Sequence, residues 1–228
     1  MDVSIIGGTG AEGFGLTLRL AKAGHRVTIG SRDADRAAAK AEEAVEILGP
    51  HAQVVGAENP AAAATPVVLV TVPFEGAAAI YGSIAPSIRT GTVVCDCTSP
   101  LMSAVGGRAS HAIHPWHGSA AEFVRTLLPH GTRLVAAFHT VSAGTLRALD
   151  EPVDSDTLVA GDDTDAKAMI GSLVDDVEGM RWVDIGGLQM ARIAEQLTPL
   201  LISINVRYKI HDAGFRVTGR DTWGDPRR

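Results

Sequence analysis

The chain reads as an α/β protein on a doubly wound, mostly parallel sheet with a small C-terminal helical domain, and three observations predict this. Short β-branched apolar runs alternate with helical stretches along the 228 residues. A glycine-rich turn, Gly8-Thr9-Gly10-Ala11-Glu12-Gly13, follows at once on the first such run, Val3-Ser4-Ile5-Ile6. The stretch Val67-Val68-Leu69-Val70-Thr71-Val72 is almost continuously apolar, as strands covered on both faces are.

Taken in order, Phe14 to Ala23 sets Leu16, Leu20 and Ala23 on one helical face, with Gly24 suited to its C-cap, and His25 to Ile29 resumes as a strand. The alanine-rich segment Asp33 to Leu48 predicts a helix stopped at Gly49-Pro50. Gln53 to Gly56 makes a third strand, and Asn59-Pro60 opens a short helix. After the fourth strand, Val67 to Val72, come a helix over Gly76 to Ile84 and a strand over Thr92 to Cys97. Ser119-Ala120-Ala121-Glu122 has the form of a capping box, opening a helix to about Leu128. Thr132 to Phe138 and Thr157 to Ala160 are further strands, Asp165 to Val177 a helix, and Met180 to Val183 a last strand. From Leu188 to Tyr208 the pattern is helical and apolar, with a kink or break expected at Pro199. Gly219 to Arg228 reads as a loose tail. The length predicts one main unit, residues 1–150, with a smaller portion, 151–228, that extends the sheet and completes a pocket.

Apolar residues make up 46% of the chain, enough for a sizeable core, and the formal charge of −6 excludes a general affinity for nucleic acid. No apolar run reaches the ~18 residues of a membrane span, and nothing at the start resembles a signal peptide, so the expectation is a cytoplasmic protein without a membrane partner. Cys95 and Cys97 read as free, buried thiols. His111, His114 and His117 invite a metal reading, but no cysteine lies near and no acid follows them before Glu122, so no metal is expected there.

The chemistry is written at the strand ends. The strand, glycine turn and helix around Gly8, Gly10 and Gly13 form a Rossmann-type dinucleotide fingerprint, which aims helix N–H groups at a pyrophosphate. At the end of the second strand, where an acid would take the ribose of NAD, stand Ser31 and Arg32, with Arg36 one turn on. Arginine forks there suit the extra phosphate of NADP, with Thr9 adding a hydroxyl. Thr71, Val72 and Pro73 close the fourth strand where the nicotinamide ribose belongs. Together with Ala11 and Glu12 of the turn, these are the predicted cofactor-binding residues.

Ile6-Gly7-Gly8-Thr9-Gly10, Gly13-Phe14-Gly15-Leu16, Gly30-Ser31-Arg32, Phe138-His139-Thr140, Gly161-Asp162-Asp163 and Leu197-Thr198-Pro199-Leu200, in this order, resemble the NADP oxidoreductases dependent on the deazaflavin coenzyme F420. The resemblance spans nearly the whole chain and implies direct hydride exchange between NADP(H) and coenzyme F420. It puts the NADP phosphate at Thr9, Ser31 and Arg32, with Arg36 where a lysine is the family's residue. It puts the deazaflavin at His139, Val141, Arg192 and Thr198. Gln196 and the stretch Met102 to Gly118 depart from the family pattern.

On this expectation His139, Arg192 and Thr198 are the catalytic residues. They stabilise charge on the deazaflavin pyrimidine, and His139 supplies the proton that its reduction takes up. Val72 and Val141 wall the ring faces. The alternatives are an NADPH-dependent imine or carbonyl reductase, with His139 or Tyr208 as proton donor, and a non-catalytic NADPH-binding regulator. The apolar late helix, with Leu200, Leu201, Ile202 and Ile204, further suggests a homodimer.

Overall fold

The apolar runs become the strands of one sheet, ordered β3-β2-β1-β4-β5-β6-β7-β8. The computed structural model describes residues 1–219 and Trp223, so all but Gly219 and Trp223 of the expected loose tail lie outside the described residues. Strands β1 (Asp2–Ile6), β2 (Arg26–Ser31), β3 (Val54–Glu58), β4 (Val67–Val70), β5 (Val93–Asp96) and β6 (Arg133–Ala136) run parallel. Strand β7 (Asp156–Gly161) joins antiparallel to β6, and β8 (Arg181–Asp184) lies parallel to β7. The chain fills one side of β1 with β2 and β3, then crosses to the other side with β4. The crevice at which strand order reverses therefore opens between the carboxyl ends of β1 and β4.

Helices cover both faces. On one lie α1 (Ala11–Lys22), α2 (Ala34–Leu48), α6 (Ala143–Arg147) and α7 (Thr164–Asp175), against Val3, Ile5, Ile29, Leu69 and Val135. On the other, α3 (Asn59–Ala62), α4 (Phe74–Ile84), α5 (Ala120–Arg125) and the start of α8 (Ala191–Tyr208) pack on Ile6, Val70, Val94 and Ala136. Helix α2 buries only Ala37, Ala41 and Ala44, and Gly56 of β3 lies under it. A Cβ at Gly56 would fall 2.3 Å from the Ala37 carbonyl carbon, so this helix can lie so close only because the strand offers no side chain.

Several elements differ from expectation for identifiable reasons. Helix α1 begins at Ala11 rather than Phe14, so the second half of the glycine motif is already helical. Strands β4 and β6 stop short of Thr71 and Ala137, because the chain leaves the ladder where the crevice begins. No break occurs at Pro199: α8 runs 18 residues through it. A proline removes one intrahelical bond, and the helix survives because Pro199 is itself buried. Helix α6 and the 3-10 turn Met102–Val105 were not anticipated. The first is held by Arg19, a buried residue of α1 that gives Nε to Leu146 O at 2.9 Å and Nη2 to Ala148 O at 2.6 Å. Among the described residues no helix is long and apolar enough to cross a membrane.

Replacing Gly56 by valine should push α2 off β3. The expected loss is about 1–3 kcal/mol, read as a lowered urea midpoint with unchanged slope.

Candidate functional site

The glycine turn delivers the chain from β1 into α1 at the mouth of the crevice. Gly10 is the N-cap and makes no side-chain cap, so the N–H groups of Ala11, Glu12 and Gly13 open a helix with no side-chain acceptor at its cap. Gly8 and Gly13 are buried, Thr9 and Glu12 half-buried, and Gly10 and Ala11 exposed. A Cβ on Gly13 would meet Thr71 Oγ1 at 2.5 Å and Gly7 O at 2.7 Å, so a glycine here lets α1 start against the end of β4. Thr71 closes the other wall, its Oγ1 donating to Ile6 O at 3.1 Å, with Val72 half-buried and Pro73 exposed beyond it.

At the tip of β2, Ser31 is buried and its Oγ accepts the Asp33 N–H at 3.3 Å. Asp33 caps α2 by accepting the Arg36 N–H at 3.0 Å. Its carboxylate is thereby spent on the helix, and the Arg32 and Arg36 guanidinium groups, both exposed, pair with no carboxylate among the described residues. Two unpaired cations at the tip of β2, next to the strand that leads into the open N-terminus of α1, are the donor chemistry that a phosphorylated ligand engages.

The second half of the site lies beyond β6. Phe138 takes a left-handed φ of 68°, and the buried His139 follows it with neither ring nitrogen bonded. Burial alone pulls this imidazole down from 6.5 to about 4, so the ring is neutral at physiological pH. This corrects the expectation of a protonated His139 as acid. Thr198 of α8 donates to His139 O at 2.8 Å, and Ser99 Oγ lies 2.7 Å from Thr198 Oγ1, stitching α8 to the ends of β5 and β6. A cavity of about 200 Å³ opens there, lined by His139, Val141, Thr198, Leu201, Asn205 and Ala213. Arg192 stands apart from it. Six residues up α8, about 9 Å along the axis, it is half-exposed and engages Glu122 at 3.6 Å and Gln189 O at 3.0 Å.

Sequence reading places the backbone of Asp96 to Pro100 at a strand end facing the nicotinamide ribose, but does not foresee that the carboxyls of Asp96 and Glu195 are buried. Asp96, fully buried at the end of β5, accepts from Tyr81 and Thr98 at 2.7 Å each through Oδ1, while Oδ2 has no partner. Burial raises it to about 6 despite those bonds. Glu195 of α8 accepts the Ala120 and Ala121 N–H groups at 2.8 and 3.1 Å, binding α8 to the N-terminus of α5, and burial raises it to about 8. The signal was an acid isolated in each apolar pattern, between Cys95 and Cys97 and between Ala194 and Leu197. The histidine loop does not converge on a point: His114 meets Gln196 at 3.4 Å, whereas His117 packs on Phe123 with centroids 5.2 Å apart. A larger cavity, about 670 Å³, opens at the start of β6, away from the crevice. Its arginines are already engaged, Arg133 with Asp163 at 2.7 Å and Arg125 with Asp162 at 3.4 Å.

A doubly wound sheet with a glycine turn at the switch point, and cations in place of an acid at the β2 tip, defines an oxidoreductase of the NADP-binding Rossmann class. Residues 2–100 match the family described as NADP oxidoreductase, coenzyme F420-dependent. The F420-dependent NADP reductase of Methanothermobacter thermautotrophicus is 45% identical over 221 residues, spanning 96% of this chain and 95% of that one. That of Methanocaldococcus jannaschii is 39% identical over 222 residues, spanning 96% and 98%. The chain belongs to the F420-dependent NADP reductase family. In fold it resembles the crystal structure of a candidate F420-dependent NADP reductase from an Arthrobacter species, with TM-score 0.81, 24% identity, and 96% and 99% of the two chains covered. It also resembles an imine reductase of Streptomyces aurantiacus, with TM-score 0.57, 18% identity, and 90% and 61% covered.

His139 sets a pH test. The folded chain binds its proton less tightly than the unfolded chain, so stability falls as pH drops from 6.5 towards 4. At 1.36 kcal/mol per pH unit the full loss is about 3 kcal/mol. His139→Gln should flatten this part of the profile, measured as urea midpoints at pH 7 and pH 4.5.

Proposed function

We infer that the protein moves a hydride directly between NADP(H) and the deazaflavin coenzyme F420. The observation that carries this is the unpaired Arg32 and Arg36 beside the glycine turn, in a chain 45% identical to an F420-dependent NADP reductase. On this reading residues 1–150 hold NADP(H) and 151–228 complete the pocket. Arg32, Arg36, Ser31 and Thr9 take the adenosine phosphate. The N–H groups opening α1, from Gly10 to Gly13, take the pyrophosphate, and Thr71, Val72 and Pro73 border the nicotinamide ribose.

When bound, the nicotinamide would supply a hydride at carbon four to carbon five of the deazaflavin, and with His139 neutral the proton that the reduction also takes up would come from solvent. The chain's part is positioning and exclusion of water. Val72 and Val141 hold the ring faces, and Thr198 fixes α8 over the end of β6 through His139 O. His139 serves as a neutral N–H donor to developing negative charge, its one N–H having no partner within the chain. Arg192 acts at the rim, towards the outer part of the deazaflavin coenzyme. An imine or carbonyl reductase would need an acid at the substrate heteroatom. His139 is neutral and Tyr208, at the end of α8, is 68% exposed, so neither supports that reading.

The proposal extends to a cytoplasmic homodimer. Reduced, buried Cys95 and Cys97 support the compartment. For the dimer, Ile193, Leu197, Leu200 and Ile204 recur on one face of α8, with Ile193 and Leu200 50% and 53% exposed. Leu200→Glu should yield monomers by light scattering where the unaltered chain gives dimers.

The decisive assay mixes the protein with NADPH and oxidised F420 and follows deazaflavin absorbance; the expected result is rapid bleaching without any carbonyl or imine. Tight NADPH binding without turnover would favour the regulator. Arg32→Ala should weaken NADPH about 10–100-fold, the loss of one charge-assisted contact, and leave NADH nearly unchanged.

A further inference from the structure

At about 200 Å³ the cavity beyond β6 is smaller than the ~300–1,000 Å³ of a pocket that encloses a whole ligand, so it takes one end of a molecule. The chemistry of that end follows from what its walls still offer. No lysine, arginine, aspartate or glutamate lines the cavity, and His139 is neutral, so a phosphate or carboxylate buried there would find no counter-charge. Each hydroxyl in the wall has already placed its proton. Thr140 Oγ1 donates to Asp156 O at 2.9 Å, Ser142 Oγ to His211 O at 2.9 Å, and Thr198 Oγ1 to His139 O at 2.8 Å. Val141, Leu201 and Ile202 bring only apolar side chains. Two side-chain donors remain, the single N–H of His139 and the amide of Asn205.

Asn205 is half-buried near the end of α8, and its neighbours decide which way its carboxamide faces. The helix closes on its backbone: the N–H groups of Lys209, left-handed at φ 56°, and of Ile210 both reach Asn205 O, the second at 3.1 Å. The chain then turns back, and Ala213 N–H donates to Asn205 Oδ1 at 3.0 Å. An N–H must face the carbonyl oxygen of the amide, so Nδ2 is the free end, and it has no partner among the described residues. Beyond Ala213 the returning segment is pinned to the start of β7. Asp156, fully buried, gives its N–H to Phe215 O at 2.6 Å, and its carboxylate accepts from Val217 N at 2.7 Å and from Arg216 and Arg181. The amide is thus held from two sides, by its own helix and by a clamped segment.

Fixed N–H donors among apolar walls, without a charge, suit a neutral ring that carries carbonyl groups. We propose that Asn205 is a specificity-determining residue of the deazaflavin site, donating through Nδ2 to a carbonyl oxygen of the pyrimidine ring beside the N–H of His139. This rests on the reading of the protein as moving hydride to coenzyme F420. It also fixes which end of the coenzyme enters, since an anionic end would be buried without a cation.

The test compares Asn205→Asp and Asn205→Ala with the unaltered chain, by spectroscopic titration with oxidised F420 and, separately, with NADPH, the fold being checked by circular dichroism. Aspartate keeps the acceptor for Ala213 N–H and exchanges the amide donor for a carboxylate oxygen. The returning segment then stays in place while the contact to a ring carbonyl turns repulsive. Expected for Asn205→Asp is an F420 dissociation constant raised about 10–100-fold, with NADPH binding unchanged. Asn205→Ala, which lacks the donor as well, should also weaken F420. A purely structural asparagine gives a different pattern, with Asn205→Asp binding F420 like the unaltered chain and only Asn205→Ala impaired. That pattern overturns the proposal and leaves hydride transfer intact, as does unchanged F420 binding in Asn205→Ala, or a loss of NADPH in place of F420 in Asn205→Asp. Failure of the unaltered chain to bind F420 overturns the reductase reading, and the proposal with it.

Discussion

The close approach of the start of α1 to the ends of β1 and β4 is the constraint on which the site depends. Gly13 sits where any Cβ would collide with Thr71 Oγ1 and Gly7 O, so the helix axis is aimed by backbone and not by side-chain packing. That aim determines where the open N–H groups of the helix point, and it brings the second turn of α1 down towards α6. Arg19 then fixes α6 by its carbonyls, and α6 begins directly after His139, Val141 and Ser142. The glycine turn and the loop after β6 are thus parts of one packed unit, although about 130 residues separate them in the chain.

Buried polar groups do most of the remaining work at this edge, in opposite ways. Arg19 gains enough acceptors to stay charged in the interior, and Glu195 spends both oxygens on the first turn of α5. Both are satisfied, and both hold elements together. Asp96 Oδ2 and the two nitrogens of His139 are not satisfied within the chain. An unpaired buried polar atom is a standing destabilisation of about 1–3 kcal/mol. These three atoms lie at the carboxyl ends of β5 and β6.

The fold was legible because its signals are local: β-branched runs, a glycine turn and proline stops gave all eight strands to within a few residues. The cationic tip of β2 was equally legible, since Ser31, Arg32 and Arg36 lie within six residues of one another. What stayed hidden depends on chain segments meeting. Nothing in the order of residues says that Arg19 would meet the carbonyls of α6, or that Glu195 would find Ala120 and Ala121. His139 was located from the sequence, but its protonation was misjudged, because a side chain's solvation depends on everything packed around it. At Pro199 the propensity rule leaves a kink and a break open, because it sees a lost hydrogen bond and not the packing around it, and α8 continues without a break.

The crevice is electrically polarised along its length, and the polarity matches the molecule it is inferred to hold. Two unpaired guanidinium groups stand at the β2 end, while Asp96, fully buried and with Oδ2 unpartnered, stands at the β5 end. A phosphorylated dinucleotide carries its negative charge at the adenosine and pyrophosphate end and, when oxidised, a positive charge at the other. Uniformly basic walls would bind the phosphates as well but would oppose formation of the oxidised ring. Uniformly acidic walls would repel the phosphates. A gradient resolves the conflict, provided the acidic end can shed its charge when the ring is neutral. Asp96 can do this without any moving part, since burial already holds its carboxyl up at about 6 despite the hydrogen bonds from Tyr81 and Thr98.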